Sequence, residues 1–280
     1  IYTRPVTRVA ASRWIFQNIP GPLSVVIEIA GVTQMQPVPV AAGFHYIDGK
    51  PYTHTFVARE TGLVREVAIG RLTEVLADSS AEVFNLDIRD DSNERRLLGT
   101  ATLTEDLSLG KGHVLEIDPP VQVSSGKTYQ IVSSVIDGGR VTIEGAHLVN
   151  ESTWDDGLPL RMDGYDPFGG MYVGHNLELY WDDNEAKLER MLDILDQGDY
   201  ILISSNRQYD SIPRLPMRYP LTVAYYKALF SGELGFGLAH EFESFPNLGA
   251  WSISDRAAEE TFTVYDHPRV LIFRKLDNFS

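Results

Sequence analysis

The run Tyr200-Ile-Leu-Ile-Ser204 constrains this chain more than any other stretch. An unbroken apolar run this short suits a strand buried on both faces. Leu188, Met191, Leu192 and Leu195 recur before it at three- and four-residue spacing, and Gly198 ends that pattern, so a helix over 184–197 is predicted. Helix, glycine and apolar strand read as the second half of a βαβ unit, which calls for a parallel sheet. The strand ends in Ser204-Ser205-Asn206-Arg207, followed by Arg214 and Arg218 among Pro213, Pro216 and Pro220. Open α/β sheets bind ligands at the carboxyl ends of their strands. A solvated loop with structural prolines is the plainer reading of the same residues.

Elsewhere the texture changes twice. Thr7–Asn18 reads as a helix stopped by Pro20-Gly21-Pro22, and Pro220–Phe230 as another with proline at its start. Gly235–Phe245 alternates as a strand, and Thr261–Tyr265 with Val270–Lys275 reads as a hairpin. Between Leu23 and Val149 the runs are β-rich: Ser24–Ala30, Thr53–Ala58, Leu63–Leu76, Ala81–Arg89, Arg95–Thr104, His113–Ile117, Thr128–Ile136 and Arg140–Leu148. Turn signals such as Asp48-Gly49, Pro119-Pro120 and Asp137-Gly138-Gly139 separate them. The expected fold class is therefore α/β, a mostly parallel sheet with flanking helices, interrupted by an inserted antiparallel β-sandwich of jelly-roll or fibronectin-like kind. The α/β domain takes 1–22 plus 149–280, and the sandwich takes 23–148. Exposed Pro/Gly loops such as 20–22 are where insertions are tolerated.

The totals exclude whole classes. A net charge of −15 over 280 residues leaves nothing to neutralise a nucleic-acid backbone, so no nucleic-acid partner is expected. Without cysteine there is no disulfide scaffold, thiolate metal site or Cys nucleophile. No apolar run approaches the roughly 18 residues of a membrane span. The chain opens at Ile1 without an initiator Met or a signal-like core, and we read it as a domain excised from a longer protein.

Three arrangements carry chemistry. Trp154, Asp155 and Asp156 lie in one strand-end loop, with Asn206, Arg207 and Arg214 in another. Arginine forks suit phosphate or carboxylate, and a Trp beside carboxylates suits a sugar. A salt bridge from Asp155 or Asp156 to Arg207, tying the loops together, explains the same pattern. A carboxylate pair from Asp155 or Asp156 with Glu241 or Glu259 would suit a glycosidase, although surface acids are expected in so acidic a chain. His175, His240 and His267 lack a second His at i+3 or i+4, so no metal site is expected, and no cofactor motif occurs. In the β-rich part, Tyr46 and Tyr52, beside Phe44, His45 and His54, could stack on a sugar ring or simply fill the core. Asp87, Asp90, Asp91 and Glu94 lack the spacing of a calcium loop and read as a solvated turn.

Four segments together resemble a known family: TRVAASRWIFQNIP (7–20), NESTWDDGLPLRMDGYD (150–166), DYILISSNRQYDSIPRLPMRYPLTVAYYKALFSGELGF (199–236) and AEETFTVYDHPRVLIFRK (258–275). They are similar to the extracytoplasmic C-terminal domain of large multispanning membrane proteins, the YYY-type proteins of Chloroflexi and archaea, related to the GT-C class of glycosyltransferases. The resemblance covers the α/β part and not Leu23–Val149. It implies a transmembrane region before Ile1 as partner, a place on the extracytoplasmic face of the cell membrane, and a polyprenyl-phosphate sugar or glycan nearby. GT-C catalytic carboxylates sit in loops between early transmembrane helices, so the resemblance implies that this chain alone catalyses nothing. The Trp154–Gly157 turn is also similar to the Trp-Trp-Asp motif of oligosaccharyltransferases. Only Trp154, Asp155 and Gly157 correspond, and Asp156 departs from it. The expectation is a soluble domain assisting recognition of glycan, acceptor or lipid-linked sugar. The alternative is a secreted or surface carbohydrate-binding protein without enzymatic activity.

Overall fold

A computed structural model describes residues 6–75, 82–91, 95–107, 110–136, 140–152, 158, 170–245, 247–248, 251–252, 262–266, 268–277 and 279. Its elements are helix α1 (Thr7–Asn18), then strands β1 (Ser24–Ile29), β2 (Val32–Pro37), β3 (Phe44–Ile47), β4 (Tyr52–Val57) and β5 (Gly62–Glu74). Strands β6 (Glu82–Asp90), β7 (Leu97–Glu105), β8 (Lys111–Val123), β9 (Thr128–Ile136), β10 (Arg140–Glu144), β11 (His147–Asn150) and β12 (Val173–Asn176) follow. The remainder is α2 (Glu185–Gln197), β13 (Tyr200–Ile203), α3 (Arg207–Ser211), a 3-10 turn (Ile212–Arg214), α4 (Pro220–Ser231) and β14 (Phe236–Phe242), then β15 (Asn247–Leu248), β16 (Trp251–Ser252), a π-helical turn (Phe262–Asp266) and β17 (Val270–Lys275). The chain divides into two compact units, one of residues 1–13, 147–165 and 174–280, the other of 14–146 and 166–173.

In the first unit a five-stranded sheet runs β12-β11-β13-β17-β14. The expectation of a mostly parallel α/β sheet is overturned here. β11 and β13 pair in parallel, but β17 is antiparallel to both β13 and β14. The reason is physical. A continuous apolar run reports burial on two faces, not the direction of neighbours. β13 is buried at all four positions, and so are the first four residues of the antiparallel β17. The expected tail hairpin is also absent: Phe262–Asp266 turns as a π-helix, and β17 pairs into the sheet instead.

Helix α2 packs its Met191, Ile194 and Leu195 with Val149, Ile201 and Ile203 of the sheet and with Tyr225, Tyr226 and Leu229 of α4. Asn184 caps α2, its side-chain oxygen accepting from the Lys187 N–H at 2.8 Å. The buried face is turned from the one the leucine spacing marks: Leu188 and Leu192 are exposed, and Lys187 is buried.

The second unit is not a sandwich of two separate sheets. Ten strands form one continuous sheet with the path β2-β1-β5-β8-β7-β6-β9-β4, and β10 bonds to both β3 and β5. The described pairings in it are all antiparallel. The sheet curls into a half-barrel, so that Val64, Val67 and Ile69 of β5 share a core with Phe84, Leu86 and Ile88 of β6 and with Tyr129 and Ile131 of β9.

Strand β8 joins the two halves. It runs thirteen residues, straight through the prolines expected to form a turn. The β5–β8 register steps from Val64↔Val121 to Glu66↔Glu116, so Pro119-Pro120 sit in a bulge where no ladder donor is needed. Within that bulge β8 meets β7 at Thr100↔Asp118. Gly99 makes the meeting possible, because a Cβ there would collide with the Pro119 carbonyl and come within 2.7 Å of Ile117 Cγ2. Strands β2 and β3 are absent from the sequence reading. The β1–β2 hairpin turns through Ala30 and Gly31, both at positive φ, without the Asn-Gly or Asp-Gly signal.

Candidate functional site

At the carboxyl ends of the parallel pair β11 and β13 the first unit gathers a buried polar cluster. Glu151 directly follows β11 and is 2% exposed. The Tyr226 hydroxyl of α4 donates to its Oε1. Two more tyrosines stand close. Burial, reinforced by the Glu151 charge, holds the Tyr225 phenol well above its ordinary range. Burial pushes Tyr209 up to about 12, against the pull of Arg269.

Around this core the strand-end residues spend their polar groups on one another. Gln208 Nε2 donates to Ser152 Oγ at 2.8 Å, and Asn206 Nδ2 to Asp210 Oδ2 at 2.8 Å and Thr263 Oγ1 at 3.3 Å. Arg8 of α1 donates to the carbonyls of Ser204 and Val264. The Arg207 N–H lies 3.4 Å from Ser205 Oγ. This is the chemistry of a cross-braced strand end.

The sequence-predicted residues fall as follows. Asn206 sits in the brace, Arg207 opens α3 half-buried, and Arg214 ends the 3-10 turn with its side chain exposed. Trp154, Asp155 and Asp156 lie outside the described residues, as do Glu259, His267 and Glu94. Glu241 binds Arg269, Oε1 to Nε at 2.7 Å, and Glu243 approaches the same nitrogen at 3.1 Å. That bond is the first cause holding the Arg269 guanidinium above its ordinary range. His175 Nε2 lies 3.0 Å from His147 Nδ1, and the His240 ring lies tilted against Phe242 with centroids 4.4 Å apart. Among the described residues no group of three or more His, Cys, Asp or Glu is placed to hold a metal ion. Nor is any described helix long and apolar enough to cross a membrane.

In the second unit Tyr46 is fully buried, with edge contacts to Phe44, Tyr52 and Phe84 at 5.2–5.5 Å and its hydroxyl 3.1 Å from His54 Nε2. Its ring faces the core, and burial raises its phenol far above the ordinary range. Tyr52 is half-buried beneath Lys50, whose Nζ is 5.1 Å from the ring centroid. The acidic turn is also internally paired: Asp87 bonds Arg89 and Thr100, Asp90 accepts from the Arg96 N–H, and Asp91 from Gln130.

A concavity that the sequence reading does not contain lies in this second unit. It is a cleft of about 90 Å³ with Gln17, Gln34, Gln36, Arg59 and Glu60 as its polar lining and Ile27, Ile29 and Met35 as its apolar lining. Ile27 pairs with Gln34 across β1 and β2, which puts both on one sheet face. Gln36 is rigid: its Nε2 donates to the Val57 carbonyl at 2.7 Å, and its Oε1 accepts from the Arg59 N–H at 2.9 Å. Gln17, from the last turn of α1, comes within 3.5 Å of Gln34, the outer limit of a hydrogen bond. The legible signal was the alternation Gln34-Met35-Gln36 on one strand, two amides on the same face. The volume is well below the roughly 300–1,000 Å³ of a pocket that encloses its ligand. It suits one ring or one substituent of a longer chain laid over the surface.

No protein-family model matches this sequence, and no curated protein does. Solved structures with similar parts include a CocE/NonD family hydrolase from Staphylococcus aureus, at 11% identity and TM-score 0.27, covering 46% of this chain and 35% of that one. The module CsCBM6-3 from Clostridium stercorarium, solved with cellobiose, matches at 17% identity and TM-score 0.22 over 46% of this chain and 84% of its own. The arabinose-bound α-L-arabinofuranosidase MgGH51 matches at 9% identity and TM-score 0.23, over 46% and 28%. This chain thus spans about a third of the hydrolase. Likenesses of this size carry no argument about fold or activity.

Proposed function

We propose that this chain is a glycan-recognition domain that does no chemistry of its own. The observation that carries the reading is the cleft with Gln17, Gln34 and Gln36 beside Arg59 and Glu60. Amides offer a donor and an acceptor side by side, and a carboxylate or guanidinium adds charge-assisted bonds, a set that pairs with neighbouring hydroxyls on a sugar. Half-buried Ile29, above the buried Ile27, takes the C–H face of the ring. Gln36, fixed at both ends of its amide, holds its part of the wall in place before a ligand arrives.

The resemblance of four segments to the YYY-type proteins supports the finer reading. The domain belongs to the extracytoplasmic face of a multispanning, GT-C-like glycosyltransferase and presents glycan, acceptor or lipid-linked sugar to the membrane-embedded part.

A glycan array probed with this chain tests the proposal. Binding to a defined set of oligosaccharides is expected, weakened about tenfold or more by Gln34→Ala with Glu60→Ala at unchanged stability, as expected for losing two polar contacts. An array without signal, or a signal indifferent to both substitutions, removes the cleft from the reading. Turnover of a polyprenyl-phosphate sugar by the chain alone would refute its non-catalytic role.

A further inference from the structure

Met217 is 95% exposed, the most exposed large apolar side chain among the described residues. It stands at the third position of the turn Leu215-Pro216-Met217-Arg218, which the Arg218 N–H closes onto the Leu215 carbonyl at 3.0 Å. Proline at the second position suits such a turn by fixing φ. The Tyr219 N–H reaches the same carbonyl at 3.0 Å, and the Leu215 N–H reaches that of Ile212 at 2.9 Å. Ile212 and Tyr219, buried on either side, anchor it. The exposure of Met217 and of Leu215, at 51%, is therefore built into hydrogen-bonded backbone.

The turn itself is basic and its neighbours are aromatic. From Ile212 to Pro220 there is no acid, while Arg214 and Arg218 both face solvent. Residues 180–182 lie alongside: the Tyr180 and Tyr219 rings are 6.3 Å apart, and Asp182 is 3.9 Å from Arg218. Between them Trp181 is 54% exposed. Of the nearby acids, Asp210 accepts from Asn206, Asp183 binds Lys187, and Asp182 lies 3.9 Å from Arg218 where both are open to solvent, a pairing worth little.

We propose that this turn is a lipid-contacting tip. Leu215 and Met217 enter the interfacial zone of an anionic bilayer, Trp181 lies at headgroup depth, and Arg214 and Arg218 pair with lipid phosphates. Composition favours lipid: exposed apolar side chains, an exposed indole and two solvent-facing arginines on one turn and its neighbour are the set that an interfacial segment presents to an anionic bilayer. The chain's charge of −15 opposes approach to an anionic surface, but screening over about 8 Å at physiological salt leaves the turn to act locally. The inference stands apart from the glycan reading, since the cleft belongs to the other unit.

Flotation with vesicles tests it, using phosphatidylcholine alone and phosphatidylcholine mixed with phosphatidylglycerol. The chain is expected to float with the mixed vesicles, less so as salt rises, and weakly with phosphatidylcholine alone. Met217→Asp should lower the partition coefficient about tenfold or more. Arg214→Gln and Arg218→Gln should each lower it about fivefold. Met217→Trp should shift its fluorescence to the blue on adding mixed vesicles. Failure of the wild-type chain to float at low salt overturns the proposal, as does a Met217→Asp variant that floats equally well. Capture of the turn by an acidic protein without any flotation would also overturn it, assigning the tip to a protein partner. A failed glycan array leaves this result untouched.

Discussion

Replacing Lys187 by Met should be among the most damaging single changes in the first unit. Its ammonium is buried, the side chain 2% exposed, and it reaches four oxygens: Asp183 Oδ1 at 2.6 Å, Thr222 Oγ1 and the Trp181 carbonyl at 2.8 Å, and the Leu179 carbonyl at 2.9 Å. Asp183, 7% exposed, also accepts from the backbone N–H groups of Leu221 and Thr222 at the start of α4. One lysine thus ties the 179–183 loop, α2 and the first turn of α4 together. Removing one partner of a buried ion pair costs about 3–5 kcal/mol. Asp183 keeps its two backbone donors and the favourable end of the α4 dipole, so the lower end applies, ~3 kcal/mol. That is about two powers of ten in the unfolding equilibrium, or a fall in Tm of ~6–12 °C. Urea unfolding followed by circular dichroism reads it directly. Asp183→Asn combined with Lys187→Met should cost less than the two single losses summed, because the pair is removed together. A Lys187→Met loss within about 0.5 kcal/mol of zero, the range of an ordinary surface change, or strict additivity in the double variant, would refute the clamp.

Two further outcomes follow from the packing. Gly99→Val sets a branched side chain against the Pro119 carbonyl, Ile117 and Val121, where β7 meets β8. A loss of ~1–3 kcal/mol by chemical denaturation is expected, with Gly99→Ala milder. Stability should also fall on both sides of neutral pH. His54 and His113, lowered chiefly by burial, stay neutral in the fold and take up protons on unfolding, so their contribution is lost as pH drops below about 6.5. Tyr46, Tyr209 and Tyr225, raised chiefly by burial, keep their protons when the unfolded chain ionises, so stability falls as pH rises above 10, toward about 12 for Tyr209. A Tm that is flat from pH 8 to pH 11 would contradict the tyrosine part.

Much of the element layout was legible, and the helix α2 shows where legibility stopped. Its span and its Asn184 start follow from spacing and capping. Its buried face does not, because the leucine pattern marks Leu188 and Leu192 while the structure buries Lys187 and Ile194. Lysine is ordinarily left in water. It is inside here because two carbonyls and a carboxylate of the 179–183 loop and a hydroxyl of α4 converge on it, and such convergence has no local signature. The hairpin expected of Val270–Lys275 fails for a related reason: its apolar run reports burial and not its partners, and it pairs antiparallel with β13 and β14 while Phe262–Asp266 turns as a π-helix. Pro119-Pro120 reads as a turn because ladder positions require donors, yet a bulge removes that requirement.

The site follows the same logic with the signs reversed. Ser204, Ser205 and Asn206 drew attention as polar residues at a strand end, a position that in parallel sheets faces ligand. Here the Arg207 N–H answers the Ser205 hydroxyl, Asp210 and Thr263 answer the Asn206 amide, and Arg8 takes the Ser204 carbonyl, all from within the chain. A polar residue's identity shows what it can bond, and the fold decides whether protein already bonds it. Gln34 and Gln36 differ for that reason although they share a strand face. Gln36 is consumed by Val57 and Arg59, while among the described residues the Gln34 side chain hydrogen-bonds to Gln17 alone, at the limit of bonding distance. A ligand would therefore be read by Gln34 and its neighbours against a wall that Gln36 holds still. Gln36→Ala should then disturb the β2–β4 connection before it disturbs recognition, whereas Gln34→Ala should do the opposite.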